Sequence, residues 1–258
     1  MKNFSLPVTP REKKAFFTGV LCSPRADEKF TALADSGHLE NLFPEISAMR
    51  GVTQPPEFHP EGDVFEHTML MLRHMAFPDP LLGWSVLLHD VGKPLTRSVE
   101  ESGRIRFFGH EEKGAELAGT ILERFGFSAG DRETIIHAIR NHMRFAHVAD
   151  MRQAKLERLM KEPFFGLELE LHRLDCISCH GKLAGFNFLL EKFLQMAPEE
   201  PEKLVSGRDL AARGVPPGVL FGGILKKIRK AQLAGQFSTR EQALNYMDNL
   251  LSERNEIK

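Results

Sequence analysis

The chain has 258 residues, 42% of them hydrophobic, which is enough for one large domain or one domain with a small appendage. Its net charge of −1 excludes a strongly basic nucleic-acid binder, and its three cysteines are too few for a disulfide framework. No run of about 18 apolar residues occurs, so we expect no membrane partner. The N-terminal segment lacks the apolar core of a secretory signal, which predicts a cytoplasmic protein.

Apolar residues recur at helical spacing in the first half of the chain, and strand alternation is rare. Residues 1–30 are expected to form a helix or a disordered arm. A helix is predicted from about Asp63 to His74, and Leu81–Leu88 is apolar nearly all round, as a central buried helix would be. A short extended piece around Ile105–Phe108 would be an insertion and not part of a sheet.

The next predicted helix has an apolar stripe and opens after a capping residue, Ser128, with Asp131 three residues on. The stripe consists of Ile135, Ile136, Ile139 and Met143. Leu156–Met160 begins a further helix that Pro163 interrupts. Leu167–Leu190 predicts one long, mostly apolar helix.

A proline-punctuated linker at Met196–Glu202 separates a smaller C-terminal part. This part contains a basic helix around Leu220–Ala234, whose apolar side (Ile224, Leu225, Ile228 and Leu233) should face a core, and a last helix opened by a capping box at Ser238–Glu241. The sequence therefore predicts an all-α fold, with a main domain over residues 1–195 and a small helical unit over residues 196–258.

The sharpest chemical feature is the pair His89-Asp90 at the end of the apolar helix. Adjacent helical residues lie about 100° apart, so both side chains can reach one ion at the helix edge. Gly92 and Pro94 are expected to end the helix and leave room for a substrate. An imidazole with a carboxylate suits Zn, Mn, Fe, Co or Ni. Taken alone, the pair is also an ordinary dipeptide at a helix end.

Two further residues strengthen the metal interpretation. His67 lies in the helix predicted from Asp63 to His74, although a lone histidine there is more often a core or surface residue. Asp175 lies in an apolar helical run, where a carboxylate is costly unless a cation pairs with it. A metal ion is one such cation, and Arg173 is the ordinary alternative.

In order and separation, these residues resemble the H…HD…D signature of the HD phosphohydrolase superfamily: His67, His89-Asp90 and Asp175. Four segments are also similar to the C-terminal half of bacterial CCA-adding enzymes and poly(A) polymerases. They are His59-Pro-Glu-Gly-Asp-Val-Phe-Glu-His-Thr68, Leu88-His-Asp-Val-Gly-Lys-Pro94, Phe108-Gly-His-Glu-Glu-Lys-Gly114 and Leu204-Val-Ser-Gly-Arg-Asp-Leu210. The resemblance runs from about Phe30 through the last capping box.

The resemblance has one clear departure. Those enzymes carry a nucleotidyltransferase head with a Gly-Ser pair and an Asp-x-Asp metal motif, and neither occurs in these 258 residues. Nucleotide addition is therefore not expected of this chain. The part that resembles it is associated in the family with phosphatase and 2′,3′-cyclic phosphodiesterase activity.

The resemblance implies metal-assisted hydrolysis of a phosphate ester, on a phosphorylated small molecule, a nucleotide or an RNA end, with one or two divalent ions (Ni, Mn, Co, Fe or Zn). Asp90 would ligate the ion and orient the nucleophile. Lys93 would neutralise a phosphoryl oxygen, or else be a solvated lysine at a helix end. His110 and His142 would ligate a second ion or bind substrate phosphate. His137 is about 140° round the helix from His142 and should not share its ion.

Two other patterns have ordinary explanations. Cys176-Ile-Ser-Cys179-His180 matches the haem-attachment pattern, but it lies in an apolar helical run, so we expect structural cysteines and no haem. The basic positions Lys226, Lys227, Arg229 and Lys230 are tRNA-contact candidates by resemblance and a solvated helix face by physics. They support the alternative function, a catalytically silent RNA- or tRNA-binding accessory module.

Overall fold

The structure is a computed structural model that describes residues 6–76, 78–196, 202–215 and 219–255. The described residues are almost entirely helical, which confirms the predicted all-α class. The chain divides into two compact units, Met1–Met196 and Ala197–Lys258. Most of the predicted linker lies outside the described residues. No helix in the described ranges is both long and apolar enough to cross a bilayer.

The helices of the first unit are α1 (Pro10–Leu21), α2 (Ala26–Asp35), α3 (His38–Leu42), α4 (Pro44–Ser47), α5 (Val64–His74), α6 (Pro80–Leu88), α7 (Lys93–Thr96), α8 (His110–Arg124), α9 (Ala129–Asn141), α10 (Gln153–Met160), α11 (Phe165–Cys179) and α12 (Ala184–Met196). Two 3₁₀ helices, His142–Phe145 and Val148–Asp150, and two strands, β1 (Ser98–Val99) and β2 (Ile105–Arg106), complete it. The second unit contains α13 (Gly207–Ala212), α14 (Val219–Leu233) and α15 (Arg240–Asn255).

Helix α6 lies at the centre of the first unit, as predicted, because it is apolar on every side. It contacts α1, α5, α9 and α11. Its Trp84 is fully buried, and the indole Nε1 donates a hydrogen bond to Thr18 Oγ1 over 2.9 Å. The ring packs edge-on against Phe17, Phe125 and Phe127. This packing holds α6 in place, and His89 and Asp90 follow directly after its C-terminal end.

The N-terminal residues form a helix rather than a disordered arm. A capping box opens α1, in which Thr9 and Glu12 satisfy each other's backbone N–H groups. Phe17 and Leu21 are fully buried in the main core. The segment from Pro10 onward is therefore part of the domain.

The single helix predicted over Leu167–Leu190 is wrong, because two helices occupy this segment. Helix α11 ends at Cys179, and Gly181 adopts a left-handed φ of 68° while its N–H donates to Cys176 O over 2.8 Å. This geometry terminates a helix and suits glycine, which has no Cβ. Helix α12 begins afresh at Ala184.

The apolar stripe of α9 is shorter than predicted. Ser128 caps the helix by accepting a hydrogen bond from the Asp131 N–H, and Ile135 and Ile139 are fully buried. The α-helix ends at Asn141, however, and the chain tightens into a 3₁₀ turn. This change of pitch turns Met143 toward solvent, so its predicted place on the stripe is wrong.

The predicted extended piece near Ile105 is paired and does form a small sheet. Strands β1 and β2 are antiparallel, with Ser98 opposite Arg106 and Val99 opposite Ile105. Gly103 in the connecting turn has a φ of 82°, which the turn requires. The hairpin joins α7 to α8.

The second unit has its own core, formed by Leu210, Ile224, Ile228, Ala243 and Met247 with neighbouring apolar residues. Leu233 is exposed and does not join this core, contrary to prediction.

The last helix starts one residue later than its predicted capping box. Helix α15 begins at Arg240, and the reciprocal bonds join Thr239 to Gln242, not Ser238 to Glu241. Both pairs have the spacing of a capping box, so the sequence alone does not indicate which pair forms it.

Candidate metal centre

Helix ends bring the predicted site residues together. A capping box of Asp63 and Glu66 starts α5, which places His67 one turn inside the helix with no exposed surface. Helix α6 ends at Leu88, and the buried His89 and Asp90 follow directly. His110 is the first residue of α8, and His142 directly follows the end of α9.

Asp90 is the centre of the cluster. Its Oδ2 lies 3.0 Å from His89 Nε2, and its Oδ1 lies 3.4 Å from His110 Nε2 and 3.8 Å from His142 Nε2. The Nε2 atoms of His110 and His142 are 3.1 Å apart. Two triads therefore share Asp90, one with His67 and His89 and one with His110 and His142.

Asp175 lies beside the first triad. Its Oδ1 is 3.1 Å from His67 Nε2, and its side chain is partly exposed. The six predicted ligands are thus adjacent in space, while their role as metal ligands stays a prediction.

The other ring nitrogen of each histidine is held by an acceptor. Nδ1 donates to the carbonyl oxygen of Val86 in His89 (2.9 Å), of Phe107 in His110 (2.8 Å) and of Ile139 in His142 (2.6 Å). A carbonyl only accepts, so each Nδ1 carries a hydrogen, and Nε2 is the ring nitrogen left to bind a cation. This is the tautomer a metal ligand needs.

Some ligand atoms of this cluster have no hydrogen-bond partner within the part of the chain that the structure describes. Among the described residues, His89 Nε2 and Asp90 Oδ1 are buried without a hydrogen-bond partner. Each such atom costs about 1–3 kcal/mol of stability. The Nε2 atoms of His110 and His142, 3.1 Å apart, can share a single cation between them. Ligand atoms around one transition-metal ion lie about 3 Å apart, so a divalent cation fits this arrangement.

A proton is another cation that satisfies such atoms, and the site uses one at His67. Burial would lower the pKa of His67, but Asp175 and Glu61 raise it to about 9. Glu61 accepts a hydrogen bond from His67 Nδ1 over 2.6 Å. In contrast, burial lowers the pKa of His142 to about 3, so this ring stays neutral.

Lys93 is buried and held, so its interpretation as a solvated lysine at a helix end is wrong. Its Nζ lies 2.7 Å from Asp90 Oδ2 and donates to Gln54 Oε1 over 2.7 Å. Burial would raise the pKa of Asp90, whereas the positive charge of neighbouring side chains, Lys93 among them, holds it well below its usual value. Lys93 therefore keeps Asp90 ionised, and its contact with a substrate stays a prediction.

Gly92 permits a close backbone approach rather than ending a helix. A Cβ at this position would lie 2.2 Å from His110 O and 2.6 Å from Gly114 N. The turn carrying Asp90 thus packs directly on the start of α8. Pro94 lies in the first turn of α7 and does not end α6, contrary to prediction.

Sequence reasoning missed two residues that support the site, Glu61 and Gln54. Glu61 fixes the orientation of His67, and Gln54 holds Lys93. Glu61 lies inside the segment quoted for the resemblance, which is the only signal that could have found it. Gln54 carries no recognisable pattern.

A cavity of about 650 Å³ opens beside the cluster, and five of the predicted ligands line it: His89, Asp90, His110, His142 and Asp175. Its wall includes the free thiols of Cys176 and Cys179, whose pKa values burial raises to about 12. Neutral thiols of this kind are poor ligands and poor nucleophiles.

The remaining residues singled out from the sequence lie outside the cluster around Asp90. His137 donates to Glu168 over 2.7 Å and belongs to neither triad. In the second unit, Lys226, Lys227 and Lys230 are exposed on α14, and Arg229 is partly buried and bonds Gln232 over 3.2 Å.

Fold and site together define a helical domain with a buried His/Asp cluster. Residues 63–168 match the family model of the HD domain. The chain therefore contains an HD domain.

Two relatives of the chain are an A-adding tRNA nucleotidyltransferase and a multifunctional CCA protein. The chain is 30% identical over 249 residues to the A-adding tRNA nucleotidyltransferase of Deinococcus radiodurans, which covers 91% of the chain and 57% of that protein. It is 31% identical over 244 residues to the multifunctional CCA protein of Acinetobacter baumannii, with 93% and 58% covered. The chain is thus related to the CCA-adding and A-adding enzymes and spans less than three fifths of their length.

Proposed function

We propose that this protein is a metal-dependent phosphohydrolase. The observation that carries this proposal is the set of buried histidines whose Nδ1 atoms are bound to acceptors and whose Nε2 atoms surround Asp90. A structural cluster has no need to turn three histidine Nε2 atoms toward one buried carboxylate. The HD domain match gives independent support.

His67, His89, Asp90 and Asp175 would hold one divalent ion. His110 and His142, with Asp90, would hold a second ion or a substrate phosphate. When bound, a divalent ion supplies Lewis-acid activation of water and stabilises charge on the phosphoryl group. Asp90 stays ionised beside Lys93, so it can accept the proton of an attacking water or orient that water. The buried walls restrict access of bulk solvent to this point.

The substrate would be a nucleotide or an RNA-terminal phosphate, cleaved as a phosphomonoester or as a 2′,3′-cyclic phosphodiester. Cationic residues line the cavity beside the cluster, among them Lys93, Arg104, Arg106 and Lys182. They suit a ligand with negative charge. The name of one relative, a tRNA nucleotidyltransferase, points to the same class.

A second candidate function is an RNA- or tRNA-binding accessory role without catalysis. The exposed lysines of α14 favour it, because three of them share one helix in the second unit. Surface lysines are common, however, and the buried cluster at Asp90 is left unexplained by this role.

The test is metal analysis of the purified full chain together with a hydrolysis screen on 2′,3′-cyclic nucleotides, nucleoside monophosphates and an aryl phosphate. We expect a bound transition metal and turnover, both lost in Asp90→Asn. His38→Ala is the matched control, since His38 is exposed and outside the cluster. A protein that takes up no Ni, Mn, Co or Zn and turns over nothing would support the accessory role instead.

A further inference from the structure

Two phenylalanines are exposed at the cavity beside the metal centre. Phe108 is 76% exposed and Phe58 is 48% exposed, and both line this cavity. The chain has 20 phenylalanines; nine of those described are buried, and four more pack partly buried against the cores. Exposed aromatic rings beside a functional centre indicate a surface that a ligand covers.

The hairpin holds Phe108 in place. The guanidinium carbon of Arg106 lies 5.7 Å from the centre of the Phe108 ring, and Arg106 Nε donates to Glu100 Oε1 over 2.9 Å. The preceding residue, Phe107, accepts the hydrogen bond from His110 Nδ1. Phe108 therefore lies two residues before His110, a predicted metal ligand.

Both acidic and basic side chains line the cavity. Its lining carboxylates, among the described residues, are Asp90 and Asp175, both at the metal end. Arg104 and Lys182 also line it, and neither forms an ion pair with any part of the chain that the structure describes. Unpaired cations beside an exposed ring suit a ligand that combines a phosphate with a flat aromatic group.

We propose that this cavity binds the base of a nucleotide, with Phe108 as the stacking platform and Arg104 as a phosphate contact. The proposal rests on the proposed function, since it takes the scissile phosphate to lie at the metal centre. A base is the aromatic group expected here, because the substrate proposed above is a nucleotide or an RNA-terminal phosphate, and a cavity of about 650 Å³ lined by this ring and by cations has the size of a small-ligand site. Stacking of this kind accepts every base, so Phe108 selects nucleotides without selecting among them.

The test compares the affinity of the full chain for adenosine 5′-monophosphate, ribose 5-phosphate and phenyl phosphate by titration calorimetry. Base stacking predicts that the nucleotide binds about 10- to 100-fold more tightly than ribose 5-phosphate. Phe108→Ala should remove this difference and leave the affinity for ribose 5-phosphate unchanged. Leu95→Ala is the matched control, because Leu95 is 63% exposed and does not line the cavity. Arg104→Ala should weaken all three ligands alike.

Equal affinity for the nucleotide and ribose 5-phosphate in the native protein would overturn the proposal. So would an unchanged preference in Phe108→Ala, or phenyl phosphate binding as tightly as the nucleotide, which would indicate a general aromatic pocket. The titrations use the full chain freed of metal with a chelator, so that no ligand is hydrolysed and failure of the hydrolase proposal is seen separately. Loss of all hydrolysis with the preference for the nucleotide intact would remove the activity and keep the base site.

Discussion

Two carboxylates of the first unit, Asp90 and Glu168, are equally buried and each faces histidine, yet they differ in how their oxygen atoms are satisfied. Glu168 receives a hydrogen bond from His137 on one oxygen and from Arg144 on the other. Asp90 is bound by Lys93 on one oxygen, while its other oxygen has no donor within the described chain. Both carboxylate oxygens of Glu168 are therefore satisfied within the protein, whereas Asp90 keeps one oxygen that a cation could take.

Removal of Glu168 should give the largest change in stability. Glu168→Ala leaves the partly buried guanidinium of Arg144 with Glu162 alone, and we expect a loss at the lower end of the about 3–5 kcal/mol that breaking a buried ion pair from one side costs. Metal affinity should stay at the native value. Urea unfolding and a metal titration measure the two quantities.

The matched variant is Asp90→Asn, which keeps the shape of the side chain. It should abolish metal binding with a smaller loss of stability than Glu168→Ala causes. The distinction between the two clusters would be lost if Glu168→Ala released the metal or Asp90→Asn retained it.

Gly92→Ala tests whether the metal centre depends on one backbone approach. The added Cβ meets backbone atoms of α8, which cannot move independently of the helix, so we expect a loss of about 3 kcal/mol of stability and weaker metal binding. Gly130→Ala is the control, because nothing lies within 4 Å of a Cβ there. If both variants unfold at the same urea concentration, the close approach is not a constraint.

The stability of the metal-free protein should fall as pH rises. The pKa of His67 is about 9 in the folded chain against an ordinary value of 6.5, so the folded state binds the extra proton in this window. The resulting stabilisation is complete below pH 6.5 and is lost as pH rises through 9, by about 2–3 kcal/mol at 1.36 kcal/mol per pH unit.

Urea unfolding with a chelator at pH 6.5 and pH 9 measures this loss. His67→Asn should flatten the slope. His137→Asn should not, because burial lowers the pKa of His137 and its effect falls at lower pH. Equal slopes in the native protein and His67→Asn would assign the pH dependence to other groups.

Local patterns in the sequence predicted the helices that carry the Asp90 cluster. They did not predict the contacts that distinguish it from the Glu168 cluster. The all-α class, the central helix α6 and the adjacency of His89 and Asp90 follow from short-range spacing. The break at Gly181 depends on a single backbone angle, and an apolar run on both sides hides it. Which acceptor holds each Nδ1 is decided by helix packing, so Glu61 and Gln54 could not be found from spacing.

The smallest expected effect concerns Glu61, which orients His67 without belonging to either triad around Asp90. Glu61→Gln keeps an oxygen to accept from His67 Nδ1 but removes the charge, so metal affinity should weaken about tenfold while the fold is retained. Glu112→Gln is the matched control, because Glu112 forms an exposed ion pair with Arg140 and should change nothing measurable. A native metal affinity in Glu61→Gln would mean that packing alone orients His67. The ring of His67 would then differ from that of His137, which Glu168 holds by a hydrogen bond, and the distinction between the two clusters would rest on Asp90 alone.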